Sequence, residues 1–222
     1  MDSINASDIT VYTAIFGNYD ILRDPQNCNK NCRYLCFTDN EQKSEVWEMV
    51  VQQRVMPTAV QDARLIKILS HRFVDTKYSI WLDGNLQLLI DPVKIVTKYL
   101  VNRDIALFAH CERDCVYQEA ETNVFLRKAP AEDINKQISR YRIEGYPEHN
   151  GLAETSILIR RHTPEVVAFN SLWWAEMLQG TWRDQLSFNY VVWKTGMQYQ
   201  PIIGNFRYGG VAWLNYRVRH GS

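Results

Sequence analysis

The amino-acid sequence predicts a single α/β domain in which helices flank a central sheet. Runs of β-branched and aromatic residues, each of strand length, alternate with stretches whose apolar residues recur at helical spacing. Neither an internal repeat nor a low-complexity linker divides the 222 residues, a length that one large domain accommodates. Hydrophobic residues make up 46% of the chain, so it can bury a sizeable core.

In the first half of the chain, strand patterns come first and a helix pattern follows them. Residues 9–16 form a β-branched and aromatic run that Gly17-Asn18 ends, and a second apolar run covers 34–38. The spacing of apolar residues predicts a helix over 59–73. The other elements predicted here are strands over 47–55, 78–82, 86–90 and 105–109, and a helix over 93–101.

The second half contains more helix than strand. The polar stretch 132–144 predicts a helix, and the short apolar run 155–159 predicts a strand. Pro164 suits the first turn of a helix over 164–178, and Asp184 precedes a further helix over 185–194. Beyond residue 196 the sequence is aromatic and predicts mainly loops.

Composition excludes several classes of protein. The formal net charge is +0 and the isoelectric point is about 7.0, so the chain lacks the basic character of a nucleic-acid-binding protein. No apolar run approaches the roughly 20 residues of a membrane span. Five cysteines without a signal peptide indicate a reducing compartment, so we expect a cytoplasmic location. The sequence also suits a soluble domain of a longer protein.

Polar residues follow four of the predicted strands, at 17–20, 38–40, 83–85 and 110–113. If these strands are parallel, the four segments meet at one edge of the sheet, where α/β proteins bind ligands. The segment 83–85, Asp83-Gly84-Asn85, is the most informative, because its two oxygen-bearing side chains flank a glycine. Mg²⁺ or Mn²⁺ prefers such oxygens and would bridge to phosphates. An ordinary Asp-Gly turn is the alternative.

Charged residues elsewhere suit a phosphorylated ligand. Arg64 and Lys67 share a stripe of the predicted helix before Asp83 and could bind a diphosphate, although without the neighbouring Asp83 motif a solvated helix face would be the preferred explanation. Asp184, with Glu154 and Glu119 as further candidates, could accept a proton from an acceptor hydroxyl. Each acid also has a structural alternative, such as capping a helix.

These segments together resemble a known family. In order and spacing they are similar to the glycosyltransferase-like family typified by the plant mucilage-related 70 and turgor-regulation-defect 1 proteins, with bacterial members among capsule and surface-polysaccharide enzymes. The similarity covers about residues 11–194. The segments that carry it are 11–20, 36–40, Ala63-Arg64 with Lys67 and His71, Trp81-Leu82-Asp83-Gly84-Asn85, His110 with Arg113, 117–120, Glu154-Thr155 and 183–188.

The resemblance implies a GT-A type fold, which is Rossmann-like with a mostly parallel central sheet flanked by helices. One domain would span residues 1–222, with a nucleotide-binding half over about 9–110 and a donor-sugar and acceptor half over about 111–222. In such enzymes an Asp-x-Asp element binds Mn²⁺ or Mg²⁺ at the diphosphate. Asp83 and Asn85 occupy that place here, with Asn85 replacing the second acid, and His220 is the candidate third ligand.

By the same resemblance, nucleotide-binding and sugar-binding roles fall on particular residues. Asp184 and then Glu154 are the candidate catalytic bases for an inverting reaction, although the stereochemistry stays open. Asp83 also belongs to the nucleotide site. The other nucleotide-binding candidates are Thr13, Phe16, Gly17, Tyr19, Asp39, Arg64 and Lys67, and the donor-sugar and acceptor candidates are His110, Arg113, Glu119 and Gln185.

The expected activity is metal-assisted transfer of a sugar from a nucleotide-diphosphate donor, with UDP as the expected nucleotide. The acceptor would be a glycan or a lipid-linked glycan in surface polysaccharide synthesis, with peripheral contact at the inner face of the membrane left open. Two alternatives remain. A metal-assisted amide hydrolase of the ceramidase type usually needs a His-rich site, and the sequence has no HxxxH or HxH pair. A non-catalytic carbohydrate-binding module would not need the Asp83 turn.

Overall fold

A seven-stranded sheet forms the centre of the computed structural model, which describes residues 3–216. Its strand order is β3-β2-β1-β4-β7-β6-β8, and β5 and β9 pair separately as a two-stranded sheet. The strands are β1 (Ile9–Ile15), β2 (Arg33–Thr38), β3 (Glu48–Val51), β4 (Tyr78–Leu82), β5 (Leu86–Leu88), β6 (Ile105–Ala109), β7 (Ala153–Arg161), β8 (Gln200–Ile202) and β9 (Leu214–Tyr216).

Six strands of the central sheet run in one direction and β7 runs against them. β1 pairs in parallel with β2 and β4, β2 with β3, and β6 with β8, whereas β7 is antiparallel to both β4 and β6. The predicted α/β class with a mostly parallel central sheet is therefore confirmed. Because β1, β2, β4 and β6 are parallel, their carboxyl ends meet at one edge, as the sequence led us to expect.

Helices cover both faces of the sheet. Alternate side chains of β1 enter different cores: Tyr12 packs with α1 and α3 to α6, whereas Val11 packs with α2 and the β5–β9 pair. This alternation is what period-2 strand geometry requires of a sheet buried on both sides. The helices are α1 (Ala59–Ile68), α2 (Pro92–Tyr99), α3 (Val116–Phe125), α4 (Ala131–Ile143), α5 (Pro164–Gln179) and α6 (Asp184–Thr195).

Several boundaries differ from the sequence prediction, and α3 was missed. The helix predicted over 59–73 ends at Ile68, and a 3₁₀ turn follows. In α3, the buried polar residues Glu119 and Asn123 interrupt the apolar stripe, which hid the helical period. The third strand is shorter than 47–55, and β8 and β9 are three-residue strands in the region predicted as loops.

Pairing between β6 and β7 is irregular near the edge where the parallel strands end. Ile159 lies opposite Ala106, but Glu154 lies opposite Phe108, so β7 advances five residues while β6 advances two. Such bulges locally re-aim the side chains of the longer strand. The irregularity therefore sets the position of Glu154 relative to its neighbours on β6.

A buried arginine holds the last turn of α1. Arg160 on β7 is 1% exposed and donates to the carbonyl oxygens of Lys67 at 2.7 Å and Ile68 at 3.4 Å. It also bonds Tyr12 Oη and Asn170 Oδ1. Carbonyls at a helix end lack partners within the helix and carry partial negative charge, so a cation stabilises them. Arg160 thereby fixes α1 against the sheet.

Arg160→Met should lower the free energy of unfolding by about 3 kcal/mol, because it leaves buried carbonyls without donors. The neighbouring Arg161 is the control, since it is partly exposed and pairs with Asp104 at 2.7 Å. Arg161→Met should cost about 1 kcal/mol or less. Urea unfolding of both variants provides the measurement, and equal losses would contradict the assignment.

Candidate active site

A cavity of about 720 Å³ opens at the carboxyl ends of β1 and β4. Phe16 and Tyr19 beyond β1 form part of its wall, and the turn Asp83-Gly84-Asn85 beyond β4 forms another part. The first half of α1, from Ala59 to Arg64, closes one side. The cavity thus lies at the sheet edge where the sequence predicted a ligand site.

Four charged side chains meet beside the cavity and form what we call the ion cluster: Arg64, Lys67, Asp83 and Asp184. Lys67 Nζ lies 2.6 Å from Asp184 Oδ2 and 3.2 Å from Asp83 Oδ1. Arg64 Nε lies 3.3 Å from Asp184 Oδ1, and its Nη1 lies 3.8 Å from Asp83 Oδ1. Two positive and two negative charges therefore compensate one another.

The members of the ion cluster differ in depth. The Lys67 side chain is 0% exposed and that of Asp184 is 4%, whereas Arg64 is 13% and Asp83 25% exposed. Asp83 and Arg64 belong to the cavity wall. Asp184 and Lys67 lie behind the wall, so they act on a ligand through the two residues that reach it.

Charge within the cluster keeps Asp184 ionised. Burial by itself would raise the pKa of Asp184, but the charges of Arg64 and Lys67 and a hydrogen bond from Lys67 hold that pKa well below its usual range. Burial lowers the pKa of Lys67, and the charges of Asp184 and Asp83 oppose this effect. Thr155 Oγ1 also donates to Asp184 Oδ2 at 2.9 Å. Asp184 is therefore a poor proton acceptor and a strong anchor for cations.

The orientation of Asp83 is fixed by donors on one side. Trp81 Nε1 donates to Asp83 Oδ1 at 2.8 Å, and Lys67 Nζ approaches the same oxygen. Lys67 Nζ also lies 5.6 Å from the Trp81 ring centroid, within range of a cation–π interaction. Residues of β4 and α1 thus jointly aim the carboxylate.

Gly84 is required for close approach and not for an unusual backbone angle. Its φ is not among the positive values found in the chain. A Cβ at this position would lie 2.9 Å from Asp20 Cβ and 3.0 Å from both Asp20 Oδ2 and Ile15 Cγ1. The absence of a side chain lets Asp20 pack directly on the turn. Burial and then the charge of Asp83 raise the pKa of Asp20 to about 6, with Arg64 opposing.

The oxygens around this turn fit a hard divalent cation. Asp20 and Asp83 supply two carboxylates that repel each other, and Asn85 in the same wall supplies an amide oxygen. A cation would relieve that repulsion, and Mg²⁺ and Mn²⁺ favour such ligands. Within residues 3–216, no group of three or more His, Cys, Asp or Glu side chains gathers in a metal-binding arrangement. His220 lies outside the described residues.

Most of the remaining predicted residues are not part of the cavity wall. Phe16, Tyr19 and Gln185 do line the cavity. Thr13 is buried, and its hydroxyl has no hydrogen-bond partner in the part of the chain that the structure describes. Asp39 accepts from Gly17 N at 2.8 Å and so closes the loop beyond β1.

The predicted sugar-site residues form a chain of polar contacts that reaches the cavity indirectly. Arg113 Nε donates to Glu119 Oε2 at 2.8 Å, and His110 Nε2 lies 3.3 Å from Arg113 Nη2. Glu119 Oε1 accepts from Asn123 Nδ2 at 2.8 Å, and Asn123 Oδ1 in turn accepts from Arg183 Nε at 3.0 Å. Arg183 belongs to the cavity wall, so the chain fixes a cation there.

Asp20, Trp182, Arg183 and Arg207 are among the wall residues that received no role from the sequence. Asp20 belongs to the polar segment beyond β1, and Trp182 and Arg183 directly precede α6. The predicted strand end and helix start therefore lie close to these three residues in the sequence. Arg207 had no such signal, because it comes from the loop-rich C-terminal region. Its partner Glu154 is 53 residues earlier in the chain.

Comparison with known proteins identifies the family of this chain. The family model described as TOD1/MUCI70, glycosyltransferase-like domain, matches residues 1–212. The chain belongs to this family. The resemblance inferred from the sequence motifs is thereby confirmed.

Two curated relatives come from Arabidopsis thaliana. The chain is 30% identical over 214 residues to a protein named "Probable hexosyltransferase MUCI70", with 82% of this chain and 37% of that protein covered. It is 24% identical over 220 residues to one named "Alkaline ceramidase TOD1", with 82% and 48% covered. The chain therefore spans less than half the length of each.

A solved structure of mouse xyloside xylosyltransferase 1 in its apo form is also similar. The match has a TM-score of 0.47 and 8% sequence identity, and it covers 87% of this chain and 84% of that one.

Asp184→Asn should lower the free energy of unfolding by about 3 kcal/mol at pH 7, because two buried cations lose their carboxylate. Asp184 has a depressed pKa in the folded state, so its contribution is present above the unfolded pKa of about 3.9 and disappears as the pH falls through the lower folded pKa. The difference between wild type and variant should therefore shrink from about pH 5 downwards. Urea unfolding at pH 7 and pH 3 measures it.

Glu48→Gln is the matched control for this prediction. Glu48 pairs with Arg33 at 3.3 Å, but both side chains are about half exposed, so the change should cost no more than about 0.5 kcal/mol. A loss in Asp184→Asn as small as in this control would show that the ion cluster does not stabilise the fold.

Proposed function

We propose that this protein transfers a sugar from a nucleotide-diphosphate donor to a hydroxyl group of a glycan acceptor, assisted by Mn²⁺ or Mg²⁺. The observation that carries the proposal is the turn Asp83-Gly84-Asn85, which lines a cavity of about 720 Å³. Asp83 of this turn pairs with Arg64 and with the buried Lys67. Cavities of roughly 300–1,000 Å³ suit small ligands. Membership of a glycosyltransferase-like family and the hexosyltransferase name of one relative support the same activity.

We assign the nucleoside to the ends of β1 and β2. Phe16 and Tyr19 are aromatic residues of the cavity wall, and Tyr19 is 43% exposed whereas Phe16 is buried. The hydrogen bond from Gly17 to Asp39 holds the loop beyond β1, and Thr13 is buried within β1. Aromatic surfaces of this kind stack on bases. UDP is the nucleotide we propose, following the family resemblance.

We assign the diphosphate to the part of the cavity that the Asp83 turn and Arg64 both line. In the reaction, the bond between the anomeric carbon and the diphosphate oxygen breaks, and its electron pair leaves with the diphosphate. The acceptor oxygen bonds the anomeric carbon, and its proton passes to a base, for which Asp184 and then Glu154 are the predicted candidates in an inverting reaction. Arg64 would stabilise the growing negative charge, with Lys67 adding to the local positive potential. A cation held by Asp83, Asn85 and Asp20 would supply further charge stabilisation.

The geometry favours an anchoring role for both candidate bases. Asp184 lies behind the wall, ionised and bonded to Lys67, so we propose that it holds the cations in place. Glu154 is 4% exposed and paired with Arg207. Their roles as proton acceptors in an inverting reaction stay predictions.

On the sugar side, we propose that Gln185 contacts the substrate directly. His110, Arg113 and Glu119 would act through Arg183, which their polar contacts position. A lipid-linked acceptor, a role in surface polysaccharide synthesis and a cytoplasmic location stay predictions. No helix among residues 3–216 is long and apolar enough to cross a membrane.

The ceramidase name of the second relative makes amide hydrolysis the competing proposal. Histidine-rich ligand sets are usual for zinc hydrolases, and the described residues show no such group. A simple carbohydrate-binding face would not require an ion cluster, whose burial costs desolvation energy. Sugar transfer therefore explains more of the geometry.

A donor-hydrolysis screen separates these proposals. The protein would be incubated with a panel of UDP-, GDP- and dTDP-sugars, with and without MnCl₂, and with a short-chain ceramide in a parallel reaction. We expect release of nucleotide diphosphate from one donor in the presence of Mn²⁺. Ceramide cleavage without nucleotide release would instead favour the hydrolase.

Asp83→Ala should reduce the rate of donor hydrolysis by at least about 100-fold, because it removes a carboxylate that would hold the divalent cation at the diphosphate. The circular dichroism spectrum should stay close to that of wild type. Steady-state kinetics with excess MnCl₂ is the measurement. Undiminished turnover in this variant would refute the role of Asp83.

Asp20→Asn should weaken Mn²⁺ binding by about 10-fold or more, because one of two carboxylates near the turn loses its charge. Asp133→Asn is the control, since Asp133 lines the same cavity from α4. Electron paramagnetic resonance of free Mn²⁺ gives the affinity without relying on activity. Equal affinities for the two variants would exclude Asp20 as a ligand.

A further inference from the structure

The segment between β8 and β9 carries an arginine into the cavity wall. Its shape depends on Gly204 and Gly209, whose φ values of 145° and 78° are unfavourable for residues with a side chain. Phe206 is 2% exposed and packs on Phe108 of β6, with ring centroids 5.1 Å apart. Arg207 follows directly, so the buried Phe206 anchors its backbone to the sheet.

Arg207 is held by a carboxylate that is itself buried. Its Nε donates to Glu154 Oε1 at 2.7 Å, and its Nη2 contacts the same oxygen. The Glu154 side chain is 4% exposed, whereas the Arg207 side chain is 40% exposed. The guanidinium carbon also lies 5.7 Å from the centroid of the Tyr216 ring, another part of the cavity wall.

This arrangement fixes the arginine and leaves donors for a ligand. A guanidinium carries five N–H groups in one plane, and the contacts to Glu154 use only Nε and Nη2. Phosphate groups match this planar set of donors well. Glu154 cannot readily release its partner, because an unpaired carboxylate in a buried position is costly.

We propose that Arg207 binds the diphosphate of the donor, and that Glu154 is a positioning residue that holds Arg207 for this purpose. The inference rests on the proposed function and deepens it, because it adds a cation from the segment between β8 and β9 to the cavity that Arg64 also lines. It also gives Glu154 a role other than that of a base. Removing either residue should then weaken binding of phosphate groups and leave binding of the nucleoside unchanged.

Isothermal titration calorimetry with UDP, inorganic pyrophosphate and uridine in the presence of MnCl₂ tests the proposal. Arg207→Met should weaken UDP and pyrophosphate binding 10- to 100-fold, with Arg207→Lys in between. Glu154→Gln should cause a smaller loss. In the double variant Glu154→Gln/Arg207→Met, the loss should equal that of Arg207→Met alone, because both changes act on one contact. Uridine affinity should not change.

Arg33→Met and Glu48→Gln form the matched control. Arg33 is about as exposed as Arg207, but Glu48 is exposed where Glu154 is buried, and the pair lies at the opposite edge of the sheet, where β2 begins. The control variants should bind UDP as wild type does. If Arg207→Met binds UDP and pyrophosphate with wild-type affinity, the inference is overturned but the proposed function is not. Additive losses in the double variant would have the same consequence. A wild-type protein that binds neither ligand would overturn the proposed donor together with the inference.

Discussion

The site depends on keeping four charges together, two in the wall of the cavity and two behind it. Lys67 has no contact with solvent, and it is stable there because Asp184 and Asp83 both reach it. Removing one member leaves its partners charged and buried, which is far more costly than losing an exposed pair. The same cluster fixes Asp83 at the cavity and α1 against the sheet, so folding and the proposed chemistry share one set of interactions.

Support for the cluster comes from the far side of α1. Arg160 holds the carbonyl oxygens of Lys67 and Ile68, and it does so from β7, the one strand that runs against the others. The Lys67 backbone is therefore fixed from one side and its ammonium from the other. Preorganisation of this kind lets charged groups act on a ligand without rearranging first.

Sequence reasoning succeeded where the signal was local. Residues 78–82 and 105–109 formed strands as predicted, and Arg64 and Lys67 met Asp83 because helical spacing and a strand end constrain them. It failed where contacts between distant residues decide the outcome. Buried polar residues hid α3, and the pairing of Arg207 with Glu154 depends on how a C-terminal loop crosses the sheet.

Between its paired positions, β7 contains more residues than β6. The number of residues in this part of β7 is therefore a constraint on ligand recognition. Side chains alternate between sheet faces, so deleting one residue from the segment 155–158 would turn Glu154 to the opposite face while Arg160 kept its place. Arg207 would then lose its pairing with Glu154, although both residues would still be present in the sequence. Relatives with a different length in this segment would need an acidic residue at a shifted position to serve the same arginine.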